Sequence, residues 1–250
     1  MKTIQETHQK LLEMLIYVDK IFKEYDIHYC LLGGSVLGSV RHKGFIPWDD
    51  DIDIGVMRRN FARVEDILSK LDNYVYEPVE KQIIRNSPIG RLHYIDDYYT
   101  IEDSPTIDIF PIDRVPNSKI LKKIQYFWKN VYHLCIYRTK SKNRGFFMNI
   151  LSGLLIYIIP DNFLVILQNI AFRKITHWEK GKSLCLGNLF GTYGYREIFV
   201  KEMYEETTLG EFEENLFPLP KDTDTYLTQL YGNYMDLPPI EERKPKHRTF

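Results

Sequence analysis

Cysteine is scarce and badly spaced for chemistry: Cys30, Cys135 and Cys185 stand far apart, with no CxxC among them. That spacing argues against a cysteine-based zinc site. Two of the three lie in apolar surroundings and read as small core residues, which fits a reducing cytoplasm. A dominant charge is also missing, since 33 Lys and Arg face 34 Asp and Glu. Without a positive field to attract a phosphate backbone, a nucleic-acid polymer is not an expected partner. No apolar run reaches the length of a membrane span. The least polar stretch, Phe146 to Phe172, has Asp161 as its only charge. Pro160 and Asp161 break it after about 14 residues, short of the roughly 20 required, so it reads as two buried or interfacial helices. The first twenty residues lack the uninterrupted apolar core of a signal peptide. Repeats and low-complexity tracts are absent as well. What is present, 44% hydrophobic and 14% aromatic residues over 250 positions, is a folded composition large enough for a substantial core.

The stretch Leu31 to Val56, LLGGSVLGSVRHKGFIPWDDDIDIGV, concentrates the chemistry. In a strand through Ile52 and Ile54, Asp51 and Asp53 share one face while the isoleucines bury the other. Positions two apart are about 7 Å apart, where two carboxylates repel by roughly 2–3 kcal/mol at an effective dielectric near 20. A hard divalent cation such as Mg²⁺ or Mn²⁺ relieves that repulsion and leaves positions open for phosphate oxygens. Asp49 joins the set if the strand begins early and otherwise stands as an outer partner; Asp50 is expected to face away. Upstream, Gly33, Gly34 and Ser35 follow an apolar strand-like segment, Ile27 to Leu32, where bare backbone can approach a phosphate. A short helix from Ser35 to Val40 would point its N-terminus at that turn. Arg41, His42 and Lys43 add positive charge. The competing reading, a solvated acidic loop beside an ordinary turn, does not account for the alternating isoleucines.

Elsewhere the periodicity predicts helices over residues 3–25, about 59–71, and 118 to about 137. Strand-like pieces run over 74–78, 81–85 and 91–94. In Thr106-Ile107-Asp108-Ile109-Phe110-Pro111-Ile112-Asp113, Asp108 projects on the face opposite Ile107 and Ile109. An Asp inside a strand is costly unless paired. Either this strand neighbours the one carrying Asp51 and Asp53, or it is an edge with a solvated carboxylate, and spacing alone leaves both open. Asp113 reads as the end of a turn. Pro116 and Asn117 mark a boundary between residues 1–116, an α/β catalytic core, and 117–250, a mainly helical region completing the substrate site. Arg138, Lys140, Lys142 and Arg144 precede the apolar stretch, as in an exposed loop or a peripheral membrane anchor spanning 138–172. GNLFGTYG, 187–194, reads as a loop. Near the end, Asp224 or Thr223 is expected to cap a helix through Leu230, and the aromatic run at Tyr231 suits a wall that stacks on a ring. His247 lies in a basic tail.

Three blocks together, GGSVLGSVRHKGFIPWDDDIDI, TIDIFPID and YLTQLYGNYMDLPP followed by His247, resemble the LicD family of phosphocholine transferases and their distant fukutin-related ribitol-phosphate relatives. The resemblance implies an α/β (α+β) nucleotidyltransferase-type fold of the polymerase-beta class, a mixed sheet flanked by helices. It also implies metal carboxylates at Asp51, Asp53 and Asp108, a phosphate-binding turn at Gly34 and Ser35, and an Arg41-His42 pair of catalytic residues. Gly33, Lys43, Trp48, Tyr231 and His247 join Gly34, Ser35 and Arg41 as expected substrate contacts. The sequence departs from the family at Asn233, where Asp is common, and at Phe212-Glu213-Glu214, where Phe-Glu-Gly is common. Both departures bear on substrate identity. The zinc-binding insertion of the fukutin-related branch has no counterpart.

The implied reaction transfers a phosphoalcohol from a CDP-alcohol donor to a sugar hydroxyl of a glycan or lipid-linked precursor, in the cytoplasm or on the inner face of its membrane. Two rivals keep other chemistry open. One is nucleotidyl transfer from the α-phosphate of a nucleoside triphosphate to a small molecule. The other is a non-catalytic, membrane-docked component of polysaccharide assembly.

Overall fold

The computed structural model describes residues 3–78, 88–137, 160–180 and 183–245. The chain opens with α1 (Ile4–Glu24), which starts at a capping box: Thr3 Oγ1 accepts from the Glu6 amide and the Glu6 carboxylate accepts from the Thr3 amide. Leu11, Met14, Leu15, Val18 and Phe22 form its buried stripe. Next come β1 (Tyr29–Leu31), α2 (Gly33–His42), β2 (Ile52–Met57), α3 (Arg58–Leu68), β3 (Tyr74–Glu77), β4 (Gly90–Tyr94) and β5 (Thr106–Val115). The helical pair α4 (Lys119–Tyr137) and α5 (Asp161–Thr176) follows. The chain then makes β6 (Cys185–Asn188), β7 (Ile198–Val200), α6 (Glu202–Glu205), a ribbon of β8 (Thr207–Phe212) and β9 (Asn215–Pro220), and α7 (Thr223–Tyr231).

A mixed sheet flanked by helices results, in the order β1-β2-β5-β4-β3, with β6 and β7 continuing from β5. Among the described strands of this sheet only β2 and β5 run parallel. β5 is long enough to hold two partners along one edge: β4 along residues 106–109 and β6 along 112–115. Pro111 stands in the gap between those registers, the place in a central strand where a residue without an N–H is tolerated. The largest core joins α1, α2 and the sheet to apolar residues of α6, the ribbon and α7. A second core packs α4 and α5 against β5 and the segment after β6.

The structure differs from the sequence expectation in several places. The first strand is only Tyr29–Leu31, because Leu32 already serves as the N-cap of α2, whose first residue is Gly33. The Gly-Gly-Ser is thus the first turn of the helix rather than a loop ahead of it, with Gly33 at φ +49 making the entry. The helix ends at Lys43, which adopts a left-handed C-cap. Asp113 does not end a turn: it sits inside β5, fully buried, in a bidentate pair with Arg58 at 2.7 and 2.8 Å. Gly187 and Asn188 belong to β6 rather than to a loop. The cap of α7 is Asp222, whose carboxylate accepts from the Thr225 amide. The strand expected at 81–85 lies outside the described residues, as do most of 138–172 and His247. At Glu213 and Glu214 both φ angles are positive, as a two-residue hairpin turn demands, so the departure from Phe-Glu-Gly places Glu where glycine is the easier choice.

Candidate active site

Parallel pairing of β2 with β5 sets Asp53 directly beside Asp108. Ile52 and Ile54 are buried beneath, as are Ile107 and Ile109, so the alternation drives both carboxylates to one side of the sheet. Asp51, just before β2, reaches the same point. One oxygen from each of Asp51, Asp53 and Asp108 lies within 4.8 Å of the others. Repulsion among these acids, added to burial, holds the Asp53 carboxyl well above its ordinary pKa; burial contributes most, followed by Asp51, Asp108, Asp49 and Glu197. Three oxygen donors converging at such spacing, with their charge uncompensated by one another, fit a hard divalent cation.

The surrounding shell fixes this cluster. The Ser35 hydroxyl accepts from the Asp53 amide at 2.9 Å, and the Leu32 amide donates to the Asp53 carbonyl at 2.9 Å. The Arg91 Nε donates to Asp108 across the β4–β5 ladder at 3.1 Å. His8 bonds the Asp49 carbonyl at 2.6 Å and stacks on Phe45. The Asp49 carboxylate lies against Gly34, so close that a Cβ there would meet Oδ2 at 2.7 Å. A side chain at 34 would thus have to displace the Asp49 carboxylate, while the backbone angle there asks nothing special of the residue. Asp50 is fully buried and lies off the cleft.

A cleft of about 900 Å³ opens over the carboxylates. Its floor includes Gly33, Gly34, Asp49, Asp51, Asp53 and Asp108. Arg41 lines it from the other end of α2, one turn beyond Leu37, and donates to the carbonyls of Tyr234 at 2.8 Å and Asp236 at 3.2 Å. Those contacts tie down the segment after α7, which forms the far wall with Tyr231 and Asn233. Trp48 adds an aromatic side, with the Arg243 guanidinium 5.5 Å from its ring centroid. His42 does not line the cleft; its Nε2 accepts from Arg41 Nε at 3.0 Å, and burial and Arg41 together lower its pKa. Lys43 is exposed and also lies off the cleft.

Two of the expected phosphate contacts are already engaged in holding the fold. The Gly33 amide donates to the Tyr226 hydroxyl at 3.0 Å, and the Ser35 amide to the Leu32 carbonyl. Gly34 carries the first-turn amide of α2 without a protein acceptor among the described residues, and it lines the cleft. Sequence reasoning missed three participants. Arg91 becomes visible only once β4 is known to pair with β5. Tyr226 lies in the expected C-terminal helix, and nothing local tells that its hydroxyl meets Gly33. Glu197 carried no signal: it sits in a short 3₁₀ turn, Gly194–Glu197, buried in the cleft wall, where it accepts from the Tyr193 amide at 2.8 Å. Burial pushes its carboxyl up to about 7.

Comparison with known proteins adds an independent line. Residues 26–137 match a family model described as LicD/FKTN/FKRP, nucleotidyltransferase domain. The chain is 31% identical over 259 aligned positions to the lipopolysaccharide cholinephosphotransferase LicD of Haemophilus influenzae, covering 98% of this chain and 96% of that protein. A shorter match, 37% over 57 residues, links 23% of the chain to 12% of the ribitol 5-phosphate transferase FKRP of Mus musculus.

Proposed function

The chain belongs to the LicD family, and on that premise we propose that it is a metal-dependent phosphotransferase that moves a phosphoalcohol, phosphocholine or an analogue, from a CDP-alcohol to a sugar hydroxyl of a cell-surface glycan or its precursor. The observation that carries the proposal is the convergence of Asp51, Asp53 and Asp108 on the floor of one open cleft. The attacking sugar oxygen forms a bond to the phosphorus bearing the alcohol, the P–O–P bond breaks, CMP leaves with the bonding electron pair, and the hydroxyl proton passes to solvent. Mg²⁺ or Mn²⁺, held by Asp51, Asp53 and Asp108, would neutralise charge on the donor diphosphate. The protein's own groups supply positioning, which is most of what phosphoryl transfer asks of them. Gly34 and the N-terminus of α2 face anionic oxygens. Arg41 adds positive charge near the departing CMP and keeps the far wall in place. Trp48 and Tyr231 offer ring faces to the nucleoside. Ser35 positions Asp53, and Arg91 positions Asp108.

The test is a donor screen. Purified protein with CDP-choline, CDP-ribitol or CDP-glycerol and a panel of glycans is expected to yield CMP and an acceptor heavier by one phosphoalcohol in mass spectrometry. Replacing Asp53→Asn should lower turnover at least about a hundredfold, the scale of losing one charge-stabilising group. Pyrophosphate release from a nucleoside triphosphate would instead assign nucleotidyl transfer, and inactivity with every donor and acceptor would favour a non-catalytic role.

A further inference from the structure

The helical pair α4 and α5 buries one side and leaves the other apolar. Gln125 donates to the Ile175 carbonyl at 2.9 Å and Tyr132 meets Phe172, so the helices run antiparallel. Their inner sides pack on Ile89 and Phe190, which also line the catalytic cleft. On the outer side of α4, Ile120, Ile124 and Phe127 follow one another at helical spacing, with Ile120 71% exposed. On α5, Phe163, Ile166 and Ile170 do the same, with Phe163 63% exposed. Ile124 and Ile170 line one groove of about 480 Å³ together with Trp128 and Trp178. A soluble monomer rarely leaves two adjoining apolar stripes uncovered.

Charge says what covers them. Lys119 and Lys123 are exposed at one end of the α4 stripe, and Arg173 and Lys174, exposed near the end of α5, line the groove. No acid stands on either outer face among the described residues. The asymmetry extends along the sequence: residues 114–178 hold eleven Lys and Arg against the single acid Asp161, in a chain whose totals are 33 and 34. An apolar face with a cationic margin and indole rings at its level is the chemistry of an anionic bilayer interface. Among the described residues no helix is long and apolar enough to cross a membrane.

We infer that the outer face of α4 and α5 docks on an anionic lipid surface, inserting Ile124, Phe127, Phe163 and Ile170 at the headgroup level while Lys119, Lys123, Arg173 and Lys174 meet lipid phosphates. Docking stands independently of the transferase reading; only its use, bringing the cleft to a lipid-linked acceptor, rests on that reading.

Flotation of the full chain with vesicles, without donor or acceptor, tests it. Vesicles of phosphatidylcholine mixed with phosphatidylglycerol should carry the protein, phosphatidylcholine alone should not, and added salt should release it. The pair Lys123→Glu and Arg173→Glu should weaken binding at least about tenfold, as should Ile124→Asp with Ile170→Asp, each with an unchanged near-UV spectrum. Absence of binding to the anionic vesicles overturns the inference, as does binding that both double variants leave intact. A dimer by light scattering that the isoleucine variants abolish, without vesicle binding, overturns it in favour of a second copy of the chain.

Discussion

Glu197 is the residue whose environment makes the most of a single proton. It is buried between Gly191 and Tyr193 in the cleft wall, and a Cβ at Gly191 would collide with its carboxylate. With its folded pKa raised from 4.5 to about 7, the native state binds a proton that the unfolded chain releases. Stability from this group is therefore complete below pH 4.5 and is lost as pH rises toward 7. The loss is on the order of 3 kcal/mol. Glu197→Gln keeps an acceptor for Tyr193 and does not titrate, so in metal-free buffer it should gain on the wild type by that amount between pH 4.5 and 8 in urea melts; parallel pH slopes would refute the assignment. At this scale the sequence disclosed residues whose neighbours are local. Asp51 and Asp53 declare themselves by alternation with Ile52 and Ile54. Glu197 and Arg91 do not, because what gives each its place is a partner far away in the chain. Ser35 is an intermediate case: its position beside the site was legible, but its hydrogen bond to the Asp53 amide was not, since that depends on how α2 lies over β2.

At the scale of elements, β5 organises the molecule. It presents Asp108 on one side and, five residues on, buries Asp113 in an ion pair with Arg58 at the start of α3. The Arg58 guanidinium also lies over the rings of Phe61, Phe172 and Phe190, at 5.6, 5.5 and 5.8 Å, so one side chain links α3, α5 and the cleft wall. Asp113→Ala would leave that cation buried without its carboxylate, a loss of about 3–5 kcal/mol. Urea denaturation should show it as a lowered midpoint. The double change Arg58→Met with Asp113→Leu should recover most of the loss, because an apolar pair needs no desolvated charge. A cost of under about 1 kcal/mol for Asp113→Ala would mean that the pair is effectively solvated. Reading Asp113 as a turn followed from the local pattern Asp-Arg-Val-Pro. A strand of ten residues that changes partners midway has no local signature, and neither does the ribbon of β8 and β9, whose Pro218 and Pro220 argue against strand.

For the whole molecule, residues 1–116 contain all three carboxylates of the proposed metal set, yet they do not contain all of the structure that holds them. The second half of β5 pairs with β6, from beyond residue 180. Leu186, Phe199, Tyr204, Phe212, Phe217 and Leu227 share one core with Leu11, Phe22 and Val36. Polar closure crosses the same line: Tyr226 takes the Gly33 amide, Glu213 accepts from the Phe45 amide at 3.1 Å, and Ser39 donates to the Glu211 carbonyl at 2.6 Å. A fragment of residues 1–116 would expose those apolar surfaces and leave the first turn of α2 without its hydroxyl partner. It is thus expected to show no cooperative thermal transition and no dispersed amide spectrum, whereas the full chain should melt cooperatively, with Mg²⁺ raising its midpoint if the proposed metal set holds it. A sigmoidal melt from the fragment, with native-like dispersion, would show that the carboxylate floor is self-sufficient and that the C-terminal half serves the substrate alone. The expected failure has a physical reason that sequence order conceals: the chain lays down the acids early, and the core begun by α1, α2 and α3 is completed only when β6, the ribbon and α7 return to it.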